Sequence, residues 1–269
     1  MPKISVIMGV YNCKNKKYLV ESVKSIINQT FKDWEFIICN DGSTNDSLNF
    51  LYEISKMDNR INIITYEENH GLAYALNKCI ENSKGEFIAR QDDDDVSLPE
   101  RFEKEINFLN NNINYDFVGT NAFVIDAFNN KWGNFENIEN PIKETFFWNS
   151  PFLHPSIIFR RDALVKVNGY RIAKETRRCE DYDLFMRMYS LGMKGYNIQE
   201  KLYEYRIIIE PNKKYRPMKY RLDEAKVRLM GYYQMKVLFK GIPYIFKPII
   251  IGLIPADIFN KIKKIQYKE

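Results

Sequence analysis

The sequence has little cysteine, and none of it is spaced for a metal or a bridge. Cys13, Cys39, Cys79 and Cys179 lie far apart and no Cys-x-x-Cys occurs. That signals neither a zinc cluster nor a disulfide framework, and a reducing cytoplasm is the simplest compartment. The first residues enter a strand-like run, Ile4–Met8, without the basic and apolar regions of a signal peptide. Glycine-rich phosphate loops are also missing: there is no GxGxxG and no GxxxxGK[ST]. A phosphate bound by this chain must be held by something else. The most apolar stretch, residues 237–256, is broken by Lys240, Pro243, Lys247, Pro248 and Pro255, so a regular membrane-spanning helix is not expected.

The 269 residues are 45% hydrophobic and 28% charged, which excludes a disordered composition. They suffice for one large α/β domain or a domain with an appendage. The net charge of +5 is unevenly placed. Residues 213–269 carry 14 Lys/Arg against 4 Asp/Glu, while the first 212 carry 26 against 31. A basic end can bind nucleic acid, but no recognisable motif accompanies it, so no nucleic-acid partner is expected. Basic and apolar together point instead to an anionic membrane surface.

The most informative stretch runs from Ala89 to Phe102. Four aspartates, Asp92 to Asp95, follow the apolar run Phe87-Ile88-Ala89. Ser97, Pro99 and Glu100 then read as the capping box and first turn of a helix. The aspartates would sit at the C-terminal end of a strand, where open α/β sheets bind ligands. Like charges so close are poorly tolerated without a cation or generous solvent. Carboxylate oxygens suit Mg²⁺ or Mn²⁺, ions that usually also bind substrate phosphates. The reading is a metal–diphosphate site; the alternative is a solvated acidic turn.

Elsewhere strand and helix alternate. Strand-like runs are Ile4–Met8, Trp34–Cys39, Ile61–Ile64 and Glu86–Ala89. Between them apolar residues recur at helical spacing: Leu19, Val23 and Ile26; Leu48, Leu51 and Ile54; Leu72, Leu76 and Cys79. The pattern predicts a mostly parallel sheet with helices on both faces. Gly9, Tyr11, Asp41 and the aspartate run would then converge on one sheet edge. Tyr11 can stack on a base and Asp41 can accept from a base N–H, although a partly buried aromatic and a turn former beside Gly42 are the plainer readings. Beyond Phe108, strands are expected at 115–120 and 123–125, a hairpin or loop at 126–140, and a strand led in by His154. Glu180, Asp181 and Asp183 open a further helix, where the dipole favours negative charge. One of them can equally serve as a general base in the cleft.

Placed together, these pieces resemble a family 2 glycosyltransferase of the GT-A fold. The matching stretches are Ser5–Asn12, Gln29-Thr30-Phe31, Asn40–Ser43, Asn69–Ala73 with Asn77, and Lys84–Arg90 with Asp92–Asp94. His154-Pro155-Ser156 and Glu180–Leu184 complete the set, so the resemblance covers about residues 3 to 207. It implies a Rossmann-like, mixed and mostly parallel sheet, and inverting transfer of a sugar from a nucleotide-diphosphate donor, usually a UDP-sugar. Gly9 and Tyr11 match the loop touching the base, and Asp41 the aspartate bonded to uracil. Asp92, Asp93 and Asp94 match the DXD motif, with Asp94 the metal ligand for Mn²⁺ or Mg²⁺ and Asp92 nearer the ribose. Asp181 matches the catalytic base. His154, Glu180 and Asn69 lie in matching segments as second-tier candidates. Asn40 stands where the family often has an acid, and Asp95 is assigned to support of the turn. The acceptor implied is a saccharide or a lipid-linked saccharide in surface polysaccharide synthesis.

The expected organisation is a domain at 1–212, with a nucleotide-binding half at 1–110 and an acceptor half at 111–212, followed by a helical extension at 213–269. In the extension Leu222, Ala225, Leu229 and Tyr232 fall on one side, and Ile258, Phe259 and Ile262 lie among Lys261, Lys263 and Lys264. Peripheral contact of 240–266 with the inner face of the cell membrane is expected; packing or dimerisation is the alternative. A sugar-phosphate nucleotidyltransferase would be expected to carry a glycine-rich loop where Val10-Tyr11-Asn12 stands. A non-catalytic nucleotide-sugar-binding subunit would not need both the aspartate run and Asp181.

Overall fold

The computed structural model describes residues 1–208 and 217–254. β1 (Ile4–Val10), β2 (Trp34–Asp41) and β3 (Ile61–Tyr66) run parallel, joined by α1 (Lys16–Ile27) and α2 (Ser47–Ser55). α3 (Leu72–Asn82) then returns the chain to the other side of β1, where β4 (Phe87–Arg90) pairs with it in parallel. The direction of strand addition reverses between β1 and β4, and a crevice at the carboxyl ends of these strands follows from that reversal.

The rest of the sheet is mixed. β5 (Val96–Ser97), α4 (Arg101–Asn111), β6 (Phe117–Ile125) and β7 (Lys131–Phe135) come first. β8 (Ile158–Arg160), α5 (Arg161–Lys166), α6 (Glu180–Ser190) and β9 (Gly195–Arg206) complete it. The strand order is β3-β2-β1-β4-β8-β6-β9-β5, with β7 on β6. β8 is antiparallel to both β4 and β6, and β9 runs parallel to β6. The two expected strands at 115–120 and 123–125 are one long strand, β6. It stays paired throughout because β9 accommodates it with register shifts near Asn121.

Alternation along the strands builds a core on each face. Val6, Met8 and Val10 join Leu19, Val23, Ile26 and Phe102 on one side. Ile7, Ile37 and Cys39 join Ala75, Leu76, Cys79 and Phe185 on the other. Each fully buried aliphatic side chain contributes about 1.5–3 kcal/mol relative to exposure.

The expected capping box at Ser97 is not formed. Ser97 lies in β5, which pairs with β9, and its hydroxyl donates to Gln91 Oε1 at 2.7 Å. The helix begins at Arg101, and the side chain of its cap residue, Glu100, makes no capping bond. Tertiary pairing with β9 outweighs the local capping signal.

After residue 217 come α7 (Met218–Gln234), α8 (Leu238–Ile245) and α9 (Lys247–Leu253). The expected apolar side of α7 is corrected: Ala225 and Tyr232 are buried, but Leu222 and Leu229 are exposed. The buried stripe is turned toward Arg228 and Gly231. Arg228 finds acceptors at Phe147 O and Tyr232 Oη, both at 3.0 Å. A Cβ on Gly231 would lie 2.3 Å from Met186 Sδ, so glycine lets α7 pack on α6 without displacing the Met186 side chain. The expected boundary at 212/213 and the cluster at 258–264 lie outside the described residues.

Candidate active site

The carboxyl ends of β1 and β2 are tied to each other. Asn12, in left-handed backbone at φ 47°, donates its N–H to Ser43 Oγ at 2.9 Å, and its Oδ1 accepts from Thr44 N at 2.9 Å. Tyr11 stands beside it, 48% exposed, at the rim. Gly9 serves packing: a Cβ there would lie 3.0 Å from Leu72 Cδ1 and 3.2 Å from Ala75 Cβ.

Asp41 ends β2 and is buried. Its Oδ1 accepts from Tyr66 Oη at 2.7 Å and His70 N at 2.9 Å. Its Oδ2 accepts from Asn69 Nδ2 at 2.7 Å and Gly71 N at 2.9 Å. A carboxylate offers about four acceptor positions, and all are filled by this chain. Asp41 and Asn69 are therefore brought together as the frame of the 66–71 loop. Gly42, at φ +60°, lets that loop pass, since a Cβ there would sit 2.3 Å from the Glu68 carbonyl carbon.

The aspartate turn follows β4 and is held by its backbone. Ser22 Oγ donates to Asp92 O at 2.6 Å, Arg206 Nε to Asp94 O at 2.7 Å and Gln91 Nε2 to Asp95 O at 3.1 Å. Buried Gln91 in turn accepts from Ser97 and Arg101, whose guanidinium also reaches Arg90 O at 3.0 Å. With the carbonyls occupied, one carboxylate oxygen each of Asp92, Asp94 and Asp95 lies within 4.8 Å of the others. Asp95 Oδ1 accepts from Arg206 N at 2.7 Å, while Asp95 Oδ2 is buried with no hydrogen-bond partner among the described residues.

The electrostatics of the turn follow from crowding in a dry place. Burial, then the charges of Asp94 and Asp92, push Asp93 up to about 7. Burial and Asp92 push Asp94 up to about 6, although its side chain reaches solvent and Arg206 and Arg90 pull it down. Burial, Asp92 and Asp94 hold Asp95 well above the usual carboxylate range. An unsatisfied carboxylate oxygen among three hard ligands is what a divalent cation such as Mg²⁺ or Mn²⁺ relieves, so the residues fit that ion. Burial, then the charge of Asp93, pushes the Cys13 thiol up.

Arg90, at the end of β4, is buried, with Nη1 2.5 Å from Asp92 Oδ1 and Nε lacking a hydrogen-bond partner among the described residues. Tyr170 is buried next to it and feels the charges of Arg90, Asp181, Glu180 and Asp92 together. The charges at the start of α6 and at the aspartate turn thus both act on Tyr170. Burial, then Asp181, pushes Glu180 up to about 7, while Arg90 pulls it back. Asp183 turns away into ion pairs with Arg171 at 2.8 Å and Arg187 at 2.7 Å. His154 Nε2 meets Tyr170 Oη at 2.7 Å, and burial together with the Arg90 charge holds the imidazole neutral. Sequence reasoning missed Arg90, Gln91, Tyr170 and Arg206. Arg90-Gln91 had a signal, two polar residues closing an apolar strand; Tyr170 and Arg206 had none.

Residues 5–168 match the family model described as Glycosyl transferase family 2. A putative glycosyltransferase, EpsE, of Bacillus subtilis (strain 168) is 37% identical over 265 residues, 98% of this chain and 94% of the relative. A UDP-Gal:alpha-D-GlcNAc-diphosphoundecaprenol beta-1,3-galactosyltransferase of Escherichia coli is 27% identical over 266 residues, 98% of this chain and 96% of the relative. Among solved structures, S. aureus TarS 1-349 in complex with UDP-GlcNAc superposes with a TM-score of 0.70 at 17% identity, over 91% of this chain and 73% of that one. At that identity the likeness shows the fold.

Proposed function

We propose a metal-assisted, inverting sugar transfer for this chain, which belongs to glycosyl transferase family 2 and has the GT-A fold. It is a glycosyltransferase. The donor we propose is a nucleotide-diphosphate sugar, a UDP-sugar first, and the acceptor a hydroxyl of a saccharide or lipid-linked saccharide in cell-envelope polysaccharide synthesis. The E. coli galactosyltransferase, whose name gives its acceptor as a sugar on diphosphoundecaprenol, supports the lipid-linked class. A lipid-linked acceptor would also bring the enzyme to the cytoplasmic face of a membrane.

The observation that carries the reading is the aspartate turn, where carboxylate oxygens of Asp92, Asp94 and Asp95 lie within 4.8 Å of one another and Arg90 pairs with Asp92 at 2.5 Å. The charges of Asp181 and Glu180, felt by Tyr170 together with those of Arg90 and Asp92, support placing Asp181 near it. That turn follows the carboxyl end of β4, where the direction of strand addition reverses. Asp92, Asp94 and Asp95 would hold the cation, and when bound it supplies Lewis-acid stabilisation of the departing diphosphate. Arg90 adds a guanidinium that stays charged at every working pH. Tyr11 and the loop framed by Asp41 and Asn69 would receive the base. Asp93 would back the turn, and neutral His154 would fix Tyr170.

Asp181 would accept the proton of the acceptor hydroxyl. The acceptor oxygen bonds to the anomeric carbon from the face opposite the nucleotide, the bond to the diphosphate oxygen breaks, and the configuration inverts. While Glu180 keeps its proton, it adds no negative charge beside Asp181. Removing the base should cost about a hundred- to ten-thousandfold in rate. In the Asp181→Asn variant, we expect donor binding by calorimetry within about twofold of wild type and transfer lost to that extent. Normal turnover of Asp181→Asn with a competent acceptor would remove Asp181 from the role.

A further inference from the structure

We propose that the outer face of α8 and α9 docks on the surface of an anionic lipid bilayer. Phe239, Ile242, Phe246, Ile250 and Leu253 follow one another at steps of three, four, four and three residues. α8 and α9 are nearly continuous, and that spacing keeps the five side chains on one side. All five are exposed, from 44% at Ile242 to 91% at Phe239. The opposite side is already used. Gly241 packs on the Tyr232 ring, Tyr244 stacks on Phe147 with centroids 5.3 Å apart, and Pro248 is buried. A contiguous exposed apolar stripe of this kind marks an interaction surface.

Charge selects the occupant. Lys236 is exposed at the start of the stripe, as is Lys240, whose ammonium also pairs with Glu144 at 3.1 Å. Residues 213–269 as a whole carry 14 basic against 4 acidic residues. Trp148, 64% exposed, lies under the Lys247 ammonium at 3.8 Å from the ring centroid. An indole paired with an ammonium suits the headgroup level of a bilayer. No described helix is long and apolar enough to cross a membrane, and Pro243 and Pro248 interrupt this one, so the fitting arrangement lies in the interface plane. A second copy meeting this one through the same patch would set a basic face against itself, which anionic headgroups would not. The same alternation of apolar and basic residues continues in sequence through 258–264. The docking face stands apart from the donor chemistry proposed above, but gives a lipid-linked acceptor a route to the site.

The test uses the full chain with vesicles of phosphatidylcholine alone or mixed equally with phosphatidylglycerol. We expect co-sedimentation with the mixed vesicles, weakened by salt, and little with phosphatidylcholine. Ile250→Glu with Leu253→Glu should reduce partitioning at least about tenfold, with the thermal melt unchanged because both side chains face solvent. Lys236→Gln should reduce it about fivefold. Equal partitioning of wild type and the double variant would overturn the proposal. So would a wild-type dimer in sedimentation velocity that the double variant converts to monomer without any vesicle binding. Vesicle binding does not depend on which sugar is transferred, so its failure and the failure of the transfer reading are distinguishable.

Discussion

Two strand ends bring aspartates to the same edge of the sheet, and the chain treats them oppositely. At the end of β2 the carboxylate is saturated, with four donors on Asp41, and Asn69 Nδ2 also reaches its carbonyl at 3.0 Å. At the end of β4, Ser22, Gln91 and Arg206 take the carbonyls of Asp92, Asp95 and Asp94, while Asp95 Oδ2 has no hydrogen-bond partner among the described residues. The difference is one of donor supply. A carboxylate met by its own chain's N–H groups becomes a strut. A carboxylate denied them is crowded by its neighbours and holds a proton more readily until a cationic ligand arrives.

Opposite substitutions should sharpen that contrast. The largest effect is expected from Asp94→Asn, with turnover down about a hundred- to a thousandfold, while the melting temperature in chelator stays level or rises as like charges are diluted. Asp41→Asn should do the reverse. An amide at that position points two hydrogens at the N–H groups of its former donors, so the unfolding free energy measured in urea should fall by about 2 kcal/mol. Loss of donor affinity would follow from a slack 66–71 loop. If Asp94→Asn destabilises the chelated protein as Asp41→Asn does, the two corners are the same kind of structure and the contrast fails.

How far the sequence reaches depends on whether a residue's role is local. The alternation in β1 to β4 and the apolar spacing in α1 to α3 announce the parallel half, because each strand and helix buries one periodic set. The aspartate run announces itself by charge. What stays hidden is long-range pairing: Ser97 looks like a helix cap until β9 is seen beside it, and Arg206 meets the turn from more than a hundred residues away. Arg228 shows the same limit in packing. Hydrophobic periodicity assigns it to solvent, yet it is buried because Phe147 and Tyr232 offer acceptors. Even Asp41 reads as a ligand-facing acid until its four donors are counted.

The smallest effect expected comes from pH, and its sign tests the contrast from the side of the aspartate turn. Asp93 is pushed up to about 7 and Asp94 to about 6, both above the usual carboxylate value near 4. In that window the folded chain holds protons that the unfolded chain has released. Stability from these groups is therefore fully present below about pH 4 and is lost as pH rises toward about 7. In chelator, the melting temperature should fall by a few degrees across that window. A divalent cation competes with those same protons, so manganese should restore the lost stability at pH 8 and do little at pH 5. Asp41→Asn should preserve the manganese-induced rise, because that corner holds no free carboxylate, whereas Asp94→Asn should abolish most of it. A manganese shift of equal size at both pH values, or one that survives Asp94→Asn, would place the ion somewhere other than the turn after β4.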